Sequence, residues 1–335
     1  MTHCRILLAV AWILSAVMLI LSPVSIRAQV LFPVRGNPEA RDRHYDVLHY
    51  NIAISFDEPR RTVHGTVTTT LVPFQTAFRT LEFDAEEMTI HAVSLRPGVR
   101  LPFVQTPATV SITLDRTYSL RDTITVSLEY SCTPRKGLYF VQPDSGYPDK
   151  PRQIWTQGED MDNHFWFPCY DFPNDRATSE VVATVSGDLT VLSNGKLQSV
   201  REDKKAGTRT FHWKQGKPHA SYLITLVVGN FTVLRDSAGT VPLEYYVYPG
   251  RLDDARACFR ETPAMIRFFN ERIGVAYPWE KYAQALIHEF VVGGMENTSA
   301  TNLADFATLF DARARIDNSP TSLIAHELAH QWWGD

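Results

Sequence analysis

From about Tyr45 to Phe231 apolar residues recur at every second position, the period of a strand with one buried face. The stretch LHYNIAISF sets Leu48, Tyr50, Ile52, Ile54 and Phe56 on one side. DEPR predicts a turn, and TVHGTVTTTLV returns with Val63, Gly65, Val67, Thr69 and Leu71. DTITVSLEY repeats the pattern with Ile124, Val126, Leu128 and Tyr130. In VLSNGKL the pair Asn194-Gly195 separates two apolar runs, which predicts a tight hairpin. SYLITLVVGNF is apolar on both faces and predicts a central strand. Residues 40–238 are therefore expected to form an antiparallel β domain.

The period changes after Gly250. Ala255, Cys258, Phe259, Thr262, Ile266, Phe269 and Ile273 make one helical stripe. Pro263 lies inside it and predicts a break, with Thr262 capping a second helix. AQALIHEFV predicts a strand carrying His288 and Glu289, GGMEN a loop or edge strand, and NSPTSLIAHELAHQWW a helix opened by Asn318 or Ser319. Residues 240–335 are expected to be α/β, so the whole reads as a mainly β domain followed by an α/β one.

Composition adds constraints rather than detail. The 335 residues are 44% hydrophobic and 21% charged with a net charge of −4, an ordinary folded composition without a basic stripe for nucleic acid. Residues 1–28 differ. Arg5, the apolar run ILLAVAWILSAVMLIL and Ala28 before Gln29 read as a secretory signal peptide, with an uncleaved membrane anchor as the alternative. The protein is thus expected outside the cytoplasm, periplasmic or secreted, and at a membrane only if that segment stays attached. Cys132, Cys169 and Cys258 are widely spaced and odd in number, which argues for three buried thiols over a bridge.

Candidate chemistry gathers in three stretches. In His326-Glu327-Leu328-Ala329-His330 the two histidines stand four apart, so on a helix both imidazoles leave one face and can share a zinc ion. Glu327 stands beside them as a candidate general base for a water whose pKa zinc lowers to about 7. A catalytic zinc takes three protein ligands, and the third is not evident. Asp335 is expected to point off the metal-binding face. Gly293-Gly294-Met295-Glu296-Asn297 offers two glycines where a backbone can approach a ligand, and a carboxylate on an extended edge. A plain glycine turn explains it as well. In WTQGEDMDNHFWFPCYDFP, Gln157 and Glu159 can point the same way from an extended segment, whereas a polar loop before an aromatic core patch is the simpler reading.

Together, in this order and spacing, the three stretches resemble the zinc aminopeptidases of the aminopeptidase N family over nearly the whole chain after residue 28. The resemblance implies a saddle-like N-terminal β domain and the start of a thermolysin-like catalytic domain. It implies zinc held by His326 and His330, Glu327 as base, and Glu296 binding the free α-amino group of a peptide substrate. Gln157, Glu159, Gly293, Gly294 and Met295 would line the same end of the cleft, with Gly294 where alanine is usual. The family's third ligand, a glutamate nineteen positions beyond the second histidine, falls past Asp335, so the expectation is a C-terminally truncated chain. Without that ligand the chain by itself is expected to be inactive or weakly active. Two rivals stand beside this reading: an inactive fragment serving at most as a binding module, and a thermolysin-type zinc endopeptidase.

Overall fold

Four sheets carry the described residues, 41–96 and 98–335, of the computed structural model. The leader expected at residues 1–28 lies outside them. Among the described residues no helix is long and apolar enough to cross a membrane.

Strands are numbered β1 to β20 along the chain. The large sheet runs, in spatial order, β13 (Lys196–Asp203), β14 (Thr208–His219), β11 (Ala177–Ser186), β1 (Tyr45–Asp57), β2 (Thr62–Pro73), β8 (Ile124–Cys132), β4 (Met88–Arg96) and β5 (Val99–Arg100). A four-stranded sheet runs β12 (Thr190–Ser193), β15 (Leu226–Gly229), β10 (Gln153–Thr156) and β9 (Leu138–Val141). A three-stranded sheet holds β3 (Phe78–Asp84), β7 (Thr109–Tyr118) and β6 (Phe103–Gln105). Trp155, Trp166, Phe167 and Trp213 are almost fully buried in the core that these sheets share.

The alternation predicted for β2 and β8 is present, with Val63, Val67, Thr69, Leu71, Ile124, Val126, Leu128 and Tyr130 all buried. Gly65 faces Tyr130 across these strands, and a Cβ there would lie 2.5 Å from Cζ of the Tyr130 ring. Three expectations need correction. The domain is not purely antiparallel, because β1 and β11 pair in parallel. A bulge between Val47 and His49 shifts the alternation by one, so Val47 is buried and Leu48 points out at 40% exposure. Asn194-Gly195 makes no hairpin: β12 before it and β13 after it belong to different sheets. The pair is a corner, with Gly195 at φ 69° and the Asn194 amide spent on other segments.

The fourth sheet has five strands, β16 (Thr232–Ala238), β17 (Val241–Val247), β18 (Tyr282–Ile287), β20 (Ala300–Ala304) and β19 (Gly294–Met295) in that order. Its inner pairs β17–β18 and β18–β20 are parallel, and β19 returns antiparallel as an edge. Helices α1 (Leu252–Phe259) and α2 (Thr262–Ile273) confirm the break before Pro263, although Glu261 occupies the cap position instead of Thr262. Phe259 stacks on Tyr245 of β17, ring centroids 4.8 Å apart, and Ile266 joins the same core. After β20 come α3 (Asp305–Thr308) and α4 (Thr321–Ala329). The strand predicted through AQALIHEFV ends at Ile287, leaving His288 and Glu289 in the turn beyond it. SYLITLVVGNF divides into a 3-10 turn, Ser221–Leu223, and the short β15 between β12 and β10.

Candidate active site

Helix α4 opens at Thr321 with Pro320 in the cap position, later than Asn318 or Ser319; the Asn318 amide turns back to the Ala314 carbonyl at 2.9 Å. Ile324 and Leu328 are buried in the core of the five-stranded sheet, which fixes the roll of the helix. His326 and His330 are thereby left on its outer side, with Nε2 atoms 3.3 Å apart. Two nitrogens binding one tetrahedral zinc at about 2.0–2.1 Å stand about 3.3–3.4 Å apart, so the pair fits that ion. Nδ1 of His330 lies 3.1 Å from the Trp333 carbonyl, a contact that orients the ring. Among the described residues no third His, Cys, Asp or Glu completes a metal-binding group.

Glu327 is 4% exposed, and burial pushes its carboxyl up to about 8, helped by the nearby charges of Glu296 and Glu159. It lies against β19. A Cβ on Gly294 would come 2.7 Å from Cγ of Glu327 and closer still to its carboxylate, so the glycine makes room for this side chain. Gly293 has no such constraint: a Cβ there would meet only Leu323, at 3.5 Å, and its carbonyl accepts from the Ala304 amide at 2.9 Å.

Strand β19 brings the second stretch to the helix. The Glu296 carboxylate stands 3.9 Å from Nδ1 of His330. Met295 is buried, and the Gln157 amide donates to its sulfur at 3.2 Å. Gln157 follows directly on β10, so the third stretch arrives through the four-stranded sheet. Glu159 is exposed, yet partial desolvation and the Glu296 charge raise its pKa. Between them Gly158 is required by packing, since a Cβ there would lie 2.8 Å from the Asn163 side chain. Glu159, Glu296 and Glu327 thus form one acidic group beside the two imidazoles, suited to a cationic ligand.

Other candidates fall elsewhere. Asp335 completes no metal-binding group with the two histidines; its carboxyl is buried and is pushed up to about 9 by burial and by Glu296. His288 is held by Asp305 at 2.8 Å, and Glu289 pairs with Lys150 at 2.7 Å. Sequence reasoning missed Gln331, a buried amide that donates to the Glu296 carbonyl at 2.7 Å. Its place next to His330 was the only signal, because its partners come from a distant strand and loop.

Residues 46–223 match the Peptidase M1 N-terminal domain and residues 258–335 the Peptidase family M1 domain. The chain is 32% identical over 202 residues to the protein named probable aminopeptidase 2 of Sulfurisphaera tokodaii, covering 59% of this chain and 25% of that protein. It is 28% identical over 265 residues to the leucyl aminopeptidase of Saccharolobus solfataricus, covering 76% and 32%. It thus spans about a quarter to a third of the length of these relatives. A crystal structure of a mutant M1 zinc metallopeptidase from Deinococcus radiodurans superimposes with a TM-score of 0.68 and 25% identity, covering 88% of this chain and 65% of that one.

Proposed function

Because the chain belongs to the peptidase M1 family, we propose that it carries the metal-binding helix and the amine-recognition strand of a zinc aminopeptidase that releases N-terminal residues from peptides. The observation that carries this reading is the Glu296 carboxylate 3.9 Å from the His330 ring, backed by Glu159. A substrate ammonium held there would set its first peptide bond beside the imidazoles, which favours peptides with a free N-terminus.

His326 and His330 would hold the zinc, which when bound supplies a Lewis acid and lowers the pKa of a water near it. Glu327 accepts a proton from the attacking group and returns it to the leaving amine; its burial beside β19 keeps it in place for both steps. Gln157 and Met295 shape the floor under the substrate's first residue, through the contact between their side chains. Export follows from the character of residues 1–28, and N-terminal sequencing of the mature protein tests it.

The test of function uses zinc-loaded protein and one dipeptide in two forms, with a free and an acetylated N-terminus. Binding by calorimetry and release of the first residue are both expected for the free form only. Equal binding or cleavage of the acetylated form overturns the reading in favour of an endopeptidase.

A further inference from the structure

A buried polar chain links the two halves of the candidate site through Gln331. This residue follows His330 directly and is 1% exposed. Its Nε2 donates to the Glu296 carbonyl at 2.7 Å, and its Oε1 accepts from the Ser299 amide at 2.8 Å and from the Tyr277 hydroxyl at 3.4 Å. One side-chain amide therefore spans the turn between β19 and β20 and ties it to the end of α4.

The turn is anchored on its far side as well. Ser299 holds a left-handed φ of 62°. Its carbonyl accepts from Lys281 at 2.9 Å and from the Ala283 amide at 3.0 Å, and its hydroxyl accepts from the Gly195 amide at 2.7 Å. Asn194 donates to the next carbonyl upstream, that of Thr298, at 2.8 Å. The loop after Glu296 is thus gripped by the β12–β13 corner on one side and by Gln331 on the other. Glu296 itself lies between Met295, paired with Asn302 on β20, and Asn297, whose carbonyl accepts from the Ala300 amide at 2.9 Å, and the Gln331 donor holds its own carbonyl.

We propose that Gln331 is a positioning residue: its amide fixes the main chain of Glu296 relative to His330 and so sets the distance from amine-binding carboxylate to metal-binding imidazoles. This rests on the amine-recognition reading above. Metal binding does not depend on it, because Gln331 contacts neither histidine ring by a hydrogen bond. A shift of about 1 Å in Glu296 is enough to lose the alignment of a bound peptide.

The experiment compares the zinc-loaded parent with Gln331→Met, of similar shape but without hydrogen-bonding groups, and Gln331→Glu, read at a pH where the new carboxyl is ionised, so that it keeps the acceptor and loses the donor. Two quantities are read: the affinity ratio for a free-amine over an N-acetylated dipeptide, and hydrogen exchange at the Ser299 amide. In Gln331→Met the ratio is expected to fall about tenfold or more and Ser299 to exchange faster, with zinc affinity unchanged. In Gln331→Glu the ratio falls while Ser299 stays protected. An unchanged ratio in a folded variant overturns the positioning role, as does an equal loss for both peptides. If Gln331→Met does not fold, the Gln331→Glu ratio decides alone. A parent protein that binds both peptides alike removes amine recognition itself and the role with it. The exchange data then still report whether the clamp exists.

Discussion

The Glu296 carboxylate lies 3.9 Å from Nδ1 of His330, although the two residues belong to a sheet edge and a helix end far apart in sequence. This proximity makes Glu296 the group to remove first. Glu296→Gln keeps the shape and deletes the charge, so affinity for free-amine peptides is expected to fall roughly 10–100-fold, the worth of a hydrogen bond to a charged group. Affinity for the acetylated form should not fall with it. Calorimetry on both peptides checks this, and an unaffected free-amine affinity contradicts the assignment.

The 3.3 Å spacing of the His326 and His330 nitrogens predicts that each is needed for metal. His326→Ala is expected to weaken zinc binding by more than the roughly 10–100-fold that loss of a supporting hydrogen bond costs. Titration against a chromophoric chelator measures it. Affinity equal to the parent's would place the metal elsewhere.

Glu327 is expected to matter for turnover and not for metal. In zinc-loaded protein that releases N-terminal residues, Glu327→Gln should lower kcat roughly 10²–10⁴-fold at unchanged zinc content. Full retention of kcat would remove Glu327 from the mechanism.

Asn194 bridges three segments: its amide donates to the Leu223 and Thr298 carbonyls at 2.8 Å each, and its oxygen accepts from the Thr225 amide at 2.8 Å. Asn194→Ala leaves these buried backbone groups unpaired. A loss of roughly 2–4 kcal/mol is expected, read from urea unfolding. A loss under about 0.5 kcal/mol would mean that the corner is held by other bonds.

Lys281 gives the fold a pH dependence. Its ammonium is buried over the Trp213 ring, donates to the Ser193 and Ser299 carbonyls, and is lowered from 10.5 to about 7 by burial, against the pull of Glu244 and Glu280. With the folded pKa below the unfolded one, the unfolded chain holds more protons between about pH 7 and 10.5. Stability from this group therefore rises with pH through that window and is lost as pH falls back toward 7. The span is up to about 5 kcal/mol. Lys281→Met should flatten the rise in unfolding midpoint from pH 7 to 10, and a slope equal to the parent's would refute it.

Local periodicity sufficed for what depends on local chemistry. The alternation of Ile124, Val126, Leu128 and Tyr130 reports a strand because one face must be buried, whatever it packs against. The i, i+4 spacing of His326 and His330 reports a shared face because helical geometry is the same everywhere. The two helices around Pro263 follow from the missing amide of that residue.

Other features depended on partners that no local pattern names. Asn194-Gly195 carries the turn chemistry of a hairpin, but β15 and β14 compete for its two flanking strands and draw them into separate sheets. The bulge at Val47 reverses Leu48 because pairing with β2, not the alternation itself, sets the register. The acidic group of Glu159, Glu296 and Glu327 exists only where a loop, a sheet edge and a helix meet. Gln331 has meaning only once Ser299 and Glu296 stand within reach of it. Residue types and spacings determined which chemistry this protein carries. Only tertiary structure decided which groups face one another, because burial and hydrogen-bond pairing are satisfied by the folded whole and not by any segment alone.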